Sequence, residues 1–232
     1  MRGTMHDPRT QLLHGQWFRQ LPATVQDSLL ALGRARELAP GQCLFQRGDA
    51  PCGLYAVLEG AMRVGAVSSE GKEALLTLVE SPHWFGEISL FDGQPRTHDA
   101  YAEGPTRLLW IPQAPLLEWL AREPVHWRDL ALLMSHKLRW VFVALEQQSL
   151  LAAAPRVAQR LLQMAEGYGE RDVAQWRLQV SQEQLALMLS LSRQTINQIL
   201  RSFEQSGVVR LGYGEVEIVD ARRLRAMGQH PG

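Results

Sequence analysis

Four polar residues in the C-terminal third of the chain could recognise hydrogen-bonding groups on another molecule. Arg193, Gln194, Asn197 and Gln198 are spaced so that a helix would present all four side chains on one face. Arginine can pair with guanine through two hydrogen bonds, and asparagine or glutamine can pair with adenine in the same way. This face therefore carries the chemistry for reading base edges in the major groove of DNA. An ordinary amphipathic helix with a solvated polar face would show the same pattern.

The elements that would position these residues lie between Ser181 and Ser206, where the sequence predicts two short helices joined by a tight turn. Ser181 followed by Gln184 fits a capping box at the start of the first helix, and Ser192 can cap the second. Apolar residues of the second helix recur at helical spacing, which predicts one buried stripe. They are Ile196, Ile199, Leu200 and Phe203. We expect a helix-turn-helix in which Ser181, Ser192 and the polar face contact DNA.

Two short β-prone runs follow, at residues 208–211 and 216–219, and they flank the segment Gly212-Tyr213-Gly214-Glu215. This arrangement is typical of a β-hairpin. A hairpin directly after such a helix predicts a winged helix, whose wing tip can rest on the DNA backbone. The last helical segment, residues 221–227, is basic and is expected to be a surface cap.

Length and composition limit the number of domains and the kinds of partner that the chain can have. The 232 residues leave room for two domains or one large one, and the 24 acidic residues balance the 24 basic ones. DNA binding must therefore rest on a local patch. Neither a membrane-spanning apolar run nor a secretory signal is visible. Cys43 and Cys52 are too few for a disulfide framework, and we expect reduced thiols in a cytoplasmic protein.

The N-terminal half has a different character. Residues 1–15 are expected to be a loose leader, and residues 17–38 are predicted to be helical. Between Pro40 and Pro112, short β-prone runs alternate with glycines, which indicates a small antiparallel sandwich or roll. Such a fold could be purely structural or could hold a ligand. The runs are 43–45, 53–58, 61–67, 74–79, 99–102 and 107–111.

One segment of this half, FGEISLFDGQPRT, could bind an anion. Gly86 and Glu87 would open a short helix whose first amides point at an anion. Arg96 and Thr97 then offer a guanidinium and a hydroxyl, which suit a phosphate group, while Glu87 could accept from a sugar hydroxyl. The alternative is that Arg96 simply pairs with Glu87 or Asp99.

Residues 124–152 predict a long helix with an apolar seam. The seam residues recur at spacings of three and four, so a two-stranded coiled coil would bury them. An ordinary core helix is the alternative. The seam consists of Ala131, Met134, Leu138, Val141, Leu145, Gln148 and Ala152.

The motifs FGE-x-x-LF-x-GQ-x-R-T and LSRQTINQILRSFE, in this order, resemble those of the CRP/FNR family of bacterial transcription factors. The resemblance extends from about Trp17 to Met227. It implies an α+β chain with a cyclic-nucleotide-binding β-roll, a long dimerisation helix and a winged helix-turn-helix. The implied divisions are a leader at 1–15, a sensor domain at 16–123, a dimerisation helix at 124–152 and a DNA-binding domain at 153–232.

The resemblance also implies roles for the anion-binding segment. In the cAMP receptors of the family, the glycine–glutamate pair contacts the phosphate and the ribose 2′-hydroxyl, and these residues are Gly86 and Glu87 here. The arginine and hydroxyl residue that hold the cyclic phosphate correspond to Arg96 and Thr97. The sequence therefore agrees with the family at the sugar-phosphate end of the ligand.

The base end departs from the family pattern. Val141 and Phe142 stand where the family places a threonine–serine pair against adenine, and neither side chain can bond the adenine amino group. A site without such bonds discriminates poorly between adenine and other bases. The sequence is therefore compatible with weak cAMP binding, with binding of another cyclic nucleotide, or with a base stacked on Phe142. It is also compatible with a different ligand or with none. A four-cysteine iron–sulfur centre is excluded, and the scattered histidines do not form a haem-ligand pattern.

The recognition segment departs as well, because Gln194 and Gln198 replace the glutamate and arginine that family members often carry. We expect Arg193 to contact guanine and Gln194 to read adenine, which shifts the preferred site.

Together these features predict a cytoplasmic homodimer that binds a palindromic DNA site and acts through RNA polymerase. As the family resemblance implies, a cyclic nucleotide or related effector against Arg96 would reposition the seam helix. The alternative is a ligand-independent DNA-binding repressor with a vestigial sensor. An enzyme is not expected, because the sequence has no nucleophile–base constellation, metal-ligand spacing or Walker loop. The sequence does not identify the effector, the sign of regulation or the roles of Cys43 and Cys52.

Overall fold

The computed structural model describes residues 7–169 and 174–229, and the chain divides into two compact units. The first unit contains the residues up to 72 together with 76–138, and the second contains 73–75 and the residues from 139 onward. The division therefore falls inside the helix expected at 124–152. None of the described helices combines the length and the apolar character that a membrane crossing requires.

Three short helices open the first unit: α1 (Pro8–Leu12), α2 (Gln16–Gln20) and α3 (Ala23–Leu32). The expectation of a loose leader is wrong for residues 7–15, while the residues before them lie outside the described part of the chain. The Asp7 carboxylate accepts a hydrogen bond from the Arg9 backbone N–H, which caps α1. Leu12 is fully buried in the core. A cap and a core contact thus hold this segment in place.

The prediction of one helical segment over residues 17–38 is wrong in its middle and at its end. The backbone is extended at Leu21, before Pro22, and again at Gly33, where α3 ends. Strand β1 (Arg34–Leu38) follows and pairs antiparallel with a strand at Thr106–Pro112. Pairing with a distant strand overrides the helical spacing of the local sequence.

The predicted β-roll is confirmed as two four-stranded sheets. The strands that follow β1 are β2 (Cys43–Phe45), β3 (Gly53–Glu59), β4 (Ala61–Val67), β5 (Glu73–Glu80), β6 (Trp84–Phe85), β7 (Asp99–Ala102) and β8 (Thr106–Pro112). The sheet orders are β1-β8-β3-β6 and β2-β7-β4-β5. Successive side chains of a strand point to opposite faces. Leu54 and Ala56 of β3 therefore pack in a cluster with the helices, while Tyr55 and Val57 pack in a second cluster.

Three further helices follow the strands or lie between them: α4 (Ile88–Asp92), α5 (Gln113–Arg122) and α6 (Trp127–Leu150). Helix α6, preceded by a 3-10 turn at Pro124–His126, confirms the long helix predicted over 124–152. Its first half buries Leu130 and Leu133 in the core of the first unit. Its second half belongs to the second unit and exposes several apolar side chains.

The second unit contains the predicted helix-turn-helix and wing. Its elements are α7 (Ala153–Ala165), β9 (Arg177–Leu178), α8 (Gln182–Leu189), α9 (Arg193–Gln205), β10 (Val209–Gly212), β11 (Glu215–Ile218) and α10 (Ala221–Gly228). Strands β10 and β11 form the hairpin, and β9 adds a third strand that the sequence pattern did not indicate. The stripe of α9 is buried at Ile196, Leu200 and Phe203 and half-buried at Ile199.

Candidate nucleic-acid interface and effector site

The start of α8 is the capping box that the sequence predicted. The Gln184 backbone N–H donates to Ser181 Oγ at 3.2 Å, and the Ser181 backbone N–H donates to Gln184 Oε1 at 2.8 Å. Reciprocal caps of this kind satisfy two backbone donors that a helix start otherwise leaves unpaired. The Ser181 hydroxyl oxygen accepts within the cap, and the predicted contact between Ser181 and DNA stays a prediction.

A second cap sets the start of α9. Ser192 Oγ accepts from the Thr195 backbone N–H at 3.0 Å and lies 2.8 Å from Thr195 Oγ1. Because the cap is Ser192, Arg193 and Gln194 occupy the first turn of α9, and both are exposed. Gln198 is also exposed, one turn later. The structure therefore brings three of the four predicted base-reading residues together on an open face.

Asn197 differs from these three residues. Its side chain is half-buried, and its Nδ2 donates to Gln182 Oε1 at 2.9 Å. Gln182 is the first residue of α8 and was missed by the sequence reasoning. The available signal was its place directly after the capping serine, which puts a polar side chain in the first turn of the first helix.

A hydrogen bond from the backbone of the wing to a side chain of α9 joins these two elements. The Leu211 backbone N–H in β10 donates to Glu204 Oε1 in α9 at 3.0 Å. At the tip of the hairpin, Tyr213 is completely exposed. Arg210 Nη1 lies 2.5 Å from Glu217 Oε2 across the hairpin. The bond to Glu204 holds the wing against α9, the ion pair joins the two strands of the wing, and the aromatic tip is exposed.

In the first unit, the Arg96 side chain is buried and bonded to the protein itself. Its Nη1 donates to the Gly86 carbonyl oxygen at 2.8 Å, and its Nη2 donates to the Gly53 carbonyl oxygen at 2.6 Å. The guanidinium also lies 4.5 Å from the centre of the Phe45 ring. Its Nε is buried without a hydrogen-bond partner among the described residues. The alternative expectation, pairing with Glu87 or Asp99, is wrong, because neither carboxylate bonds this guanidinium.

Gly86 is required at its position by backbone geometry. Its φ is +97°, and a Cβ there would lie 2.9 Å from the Gly53 carbonyl oxygen and 3.0 Å from Arg96 Nη1. Only glycine adopts such a backbone conformation without strain. Gly86 therefore lets the chain pass close to the guanidinium, and its own carbonyl oxygen becomes an acceptor for it.

Glu87 directly precedes α4 and is buried, and its carboxylate forms no cap but an ion pair with α6. Glu87 Oε2 lies 2.7 Å from Lys137 Nζ. Lys137 was not among the residues predicted from the sequence. Its type could have indicated a special role, because lysine occurs in this chain only at positions 72 and 137. A lysine in an apolar helix needs an acidic partner when its ammonium group is partly buried.

Thr97 lies apart from the buried groups. It is exposed, and its Oγ1 lies 3.0 Å from His98 Nδ1. Burial, and then the positive charge of Arg47, lower the pKa of His98. The structure thus brings Gly86 and Arg96 into contact, and it places Thr97 at the exposed edge beside them.

Val141 and Phe142 belong to the second half of α6 and are exposed at 52% and 61%. Their predicted role at the base end of a ligand stays a prediction. Cys43 and Cys52 are free thiols. Cys52 Sγ lies 3.1 Å from Arg96 Nη2 and 3.1 Å from the Tyr55 hydroxyl oxygen, and burial followed by this thiol contact raises the pKa of Tyr55. The described residues include no cluster of side chains able to hold a metal ion.

A β-roll with a buried arginine, joined in sequence to a winged helix-turn-helix, is the architecture of a DNA-binding regulator that responds to an effector. Comparison with known families agrees with this class. Residues 35–123 match the cyclic nucleotide-binding domain, and residues 155–227 match the Crp-like helix-turn-helix domain.

Individual relatives make the assignment specific. The chain is 32% identical over 208 residues to the cyclic AMP receptor protein of Thermus thermophilus, covering 89% of this chain and 94% of that protein. It is 31% identical over 186 residues to the CRP-like cAMP-activated global transcriptional regulator of Mycobacterium tuberculosis, covering 79% and 83%. The solved structure of a CRP/FNR family regulator from Thermus thermophilus superposes with a TM-score of 0.68 at 26% identity, covering 86% of this chain and all of that one. The chain belongs to the CRP/FNR family of transcription regulators.

Proposed function

We propose that this regulator works as a homodimer on a palindromic DNA site and is switched by a cyclic nucleotide or related effector bound between Arg96 and Glu87. The observation that carries the proposal is the ion pair between Glu87 and Lys137. Through it, the residue that would accept from the sugar of an effector is bonded directly to α6. The same helix continues into an exposed apolar stripe.

The exposed stripe on α6 supports a dimer. Leu138, Val141, Phe142 and Leu145 are 50%, 52%, 61% and 55% exposed, and their spacing places them on one face. A soluble monomer rarely exposes a contiguous apolar surface of this kind. A second copy of the same helix would cover it as a two-stranded coiled coil. Two-fold symmetry would then place two recognition helices on two half-sites about one DNA turn apart.

Arg96 supports an anionic effector. Its guanidinium is bonded to two neutral carbonyl oxygens, and its buried Nε has no hydrogen-bond partner in the part of the chain that the structure describes. A phosphate would offer charged acceptors, and charge-assisted hydrogen bonds are roughly twice as strong as neutral ones. We infer that an effector phosphate competes with the two carbonyl oxygens for Arg96, with Thr97 at the exposed edge as a further donor. Gly86 is then needed for close approach.

Val141 and Phe142 bear on the choice of base. Neither side chain has a hydrogen-bonding group, so contacts from them to a base would be apolar or stacking contacts. Selection for adenine through its amino group would therefore be weak. The relatives named for cAMP keep that nucleotide among the candidates, and we infer that other cyclic nucleotides compete with it more effectively here than at a polar base pocket.

Coupling between effector and DNA follows from α6. A ligand shifts a conformational balance only through different affinities for the two states. An effector hydroxyl bonded to Glu87 changes the partner set of that carboxylate, and hence its pairing with Lys137. The resulting change in α6 would alter the geometry of the dimer and of its two DNA-reading helices. Because the protein acts on DNA, we place its work in the bacterial cytoplasm, with RNA polymerase as the downstream partner.

A second function has one observation in its favour. Arg96 Nη1 and Nη2 already donate to backbone carbonyl oxygens of the protein, which is compatible with a sensor that no longer binds a ligand. The protein would then be a ligand-independent DNA-binding repressor. In that case the protein without added effector would bind its operator at full affinity.

Titration calorimetry separates these two functions. The purified protein is titrated with a panel of cyclic mononucleotides and cyclic dinucleotides, alone and with an operator selected from random DNA. We expect at least one nucleotide to bind and to change operator affinity by about 5- to 150-fold, the usual range of allosteric coupling. Full operator affinity without any nucleotide, and no heat from the panel, would support the ligand-independent repressor instead.

A further inference from the structure

The hydrogen bond between Asn197 and Gln182 joins the two helices of the helix-turn-helix. Asn197 lies in the second turn of α9, and Gln182 opens α8, 15 residues earlier in the chain. Both side chains are half-buried, whereas Arg193 and Gln198 are exposed on the face of α9. Asn197 is therefore bonded to the first helix of the motif, whereas Arg193 and Gln198 present exposed side chains.

The bond determines which group of Gln182 remains available. A glutamine amide has one acceptor oxygen and two N–H donors. Since Oε1 of Gln182 accepts from Asn197 Nδ2, its Nε2 lies on the other side of the amide, where it donates to none of the residues that the structure describes. The capping box of Ser181 and Gln184 also holds the backbone on either side of Gln182 in its helical start. Gln182 is thus a fixed side chain that presents donors.

The place of Gln182 in the fold indicates what those donors bind. In helix-turn-helix proteins, the second helix enters the major groove and the first helix crosses the DNA backbone. Gln182 is in the first turn of the first helix, which is the part of the motif expected near the DNA backbone. A DNA phosphate oxygen only accepts hydrogen bonds, so it suits the N–H donors of Gln182. Contacts to phosphates fix the register of a protein on the duplex and carry no base information.

We propose that Gln182 binds a DNA phosphate through Nε2, and that Asn197 is a positioning residue that holds Gln182 for this contact rather than reading a base. The inference rests on the DNA interface proposed above and assigns a different role to one of its four polar residues. The helix that reads the bases is thereby bonded to the side chain that grips the backbone. The pair sets how far α9 enters the groove.

The test uses the full-length protein and an operator selected with the wild type. Binding is measured to that operator and to every single-base variant of it, for Gln182→Ala, Asn197→Ala and the double variant. We expect each single variant to weaken binding by a similar factor on all sequences, about 10- to 150-fold per half-site, which is the value of one hydrogen bond to a charged phosphate. The double variant should bind no more weakly than Gln182→Ala, because both changes remove one shared contact.

Two further readouts separate positioning from base reading. The order of base preferences should stay the same in all three variants, and the salt dependence of binding should not change, because a neutral amide releases no counterion. Gln198→Ala is the matched control, since it should change the base preference and so demonstrate that the assay detects base reading. Asn197→Leu, which lacks the amide but is a better helix former, provides a second variant if thermal unfolding shows that Asn197→Ala is destabilised.

Three results would contradict these expectations, and each has a different meaning. Relaxed preference at one base pair per half-site in Asn197→Ala would make Asn197 a base reader and overturn the inference. Strictly additive losses in the double variant would also overturn it, because the two residues would then act independently. If the wild type selects no DNA sequence at all, the proposed interface itself fails, and that outcome is visible before any variant is tested.

Discussion

The Glu87 carboxylate and the Lys137 ammonium group lie 2.7 Å apart, although 50 residues separate them in the sequence. Glu87 is nearly inaccessible, with 5% of its side chain exposed, while Lys137 retains 31% exposure. Removing the lysine of such a pair is destabilising, because the buried carboxylate would then carry a charge without a compensating partner. This relationship joins the proposed effector site to the helix that carries the proposed dimer interface.

Lys137→Met should lower the free energy of unfolding by about 1–3 kcal/mol, because the buried Glu87 carboxylate loses its charged partner. Chemical denaturation measures this change. Lys72→Met is the matched control, since Lys72 is exposed and its substitution should leave stability unchanged. Equal stability of the two variants would mean that the ion pair does not stabilise the folded protein.

Arg96→Lys should reduce effector affinity more than tenfold while keeping the positive charge. A lysine ammonium cannot reproduce the planar fork that donates to two acceptors at once. Calorimetry with the nucleotide found in the panel measures the change, and Arg122→Ala, on the exposed part of α5, serves as the control. Unchanged affinity in Arg96→Lys would place the effector elsewhere.

Arg193→Ala should cost about 1–3 kcal/mol at the selected operator and relax the preference at one position per half-site. The physical reason is that Arg193, in the exposed first turn of α9, can bond guanine through two donors. Binding to single-base operator variants measures both effects. Arg128→Ala, an exposed arginine of the first unit, should leave binding unchanged. An equal loss on every sequence would assign Arg193 to the backbone instead.

Val141→Glu should convert the dimer to a monomer, because two carboxylates would face each other across the seam that the exposed stripe forms. Sedimentation velocity reports the mass directly, and affinity for a palindromic operator should fall with the loss of the second half-site. Val125→Glu makes the same change at a residue that is 68% exposed and outside the stripe, so it should remain dimeric. A dimeric Val141→Glu would move the interface away from this face.

Local patterns predicted much of the second unit. The capping serines, Ser181 and Ser192, and the apolar stripe of α9 all act within three or four residues, so the sequence alone placed both helices. The hairpin was also predicted, because glycines mark its turn. Strand β9 was not, since two residues paired only at the edge of a sheet leave no periodic signal.

The first unit was predicted less completely, for a related reason. Residues 34–38 have no local feature that opposes a helix, and they become a strand because β8 offers them a partner. The segment at 8–12 looks irregular until Leu12 enters the core. In both cases a contact between distant parts of the chain contributes more than the local preference.

The sequence by itself indicated an antiparallel sandwich or roll, a possible anion-binding segment, a long seam helix and a winged helix-turn-helix, because spacing, caps and residue chemistry are properties of neighbouring residues. Its resemblance to the CRP/FNR family then supplied the class of the protein. Only the tertiary structure decided that Arg96 is held by its own carbonyl groups, that Glu87 pairs with Lys137 and that Asn197 bonds Gln182. These partners lie 10 to 50 residues apart, and only folding brings their polar groups within hydrogen-bonding distance.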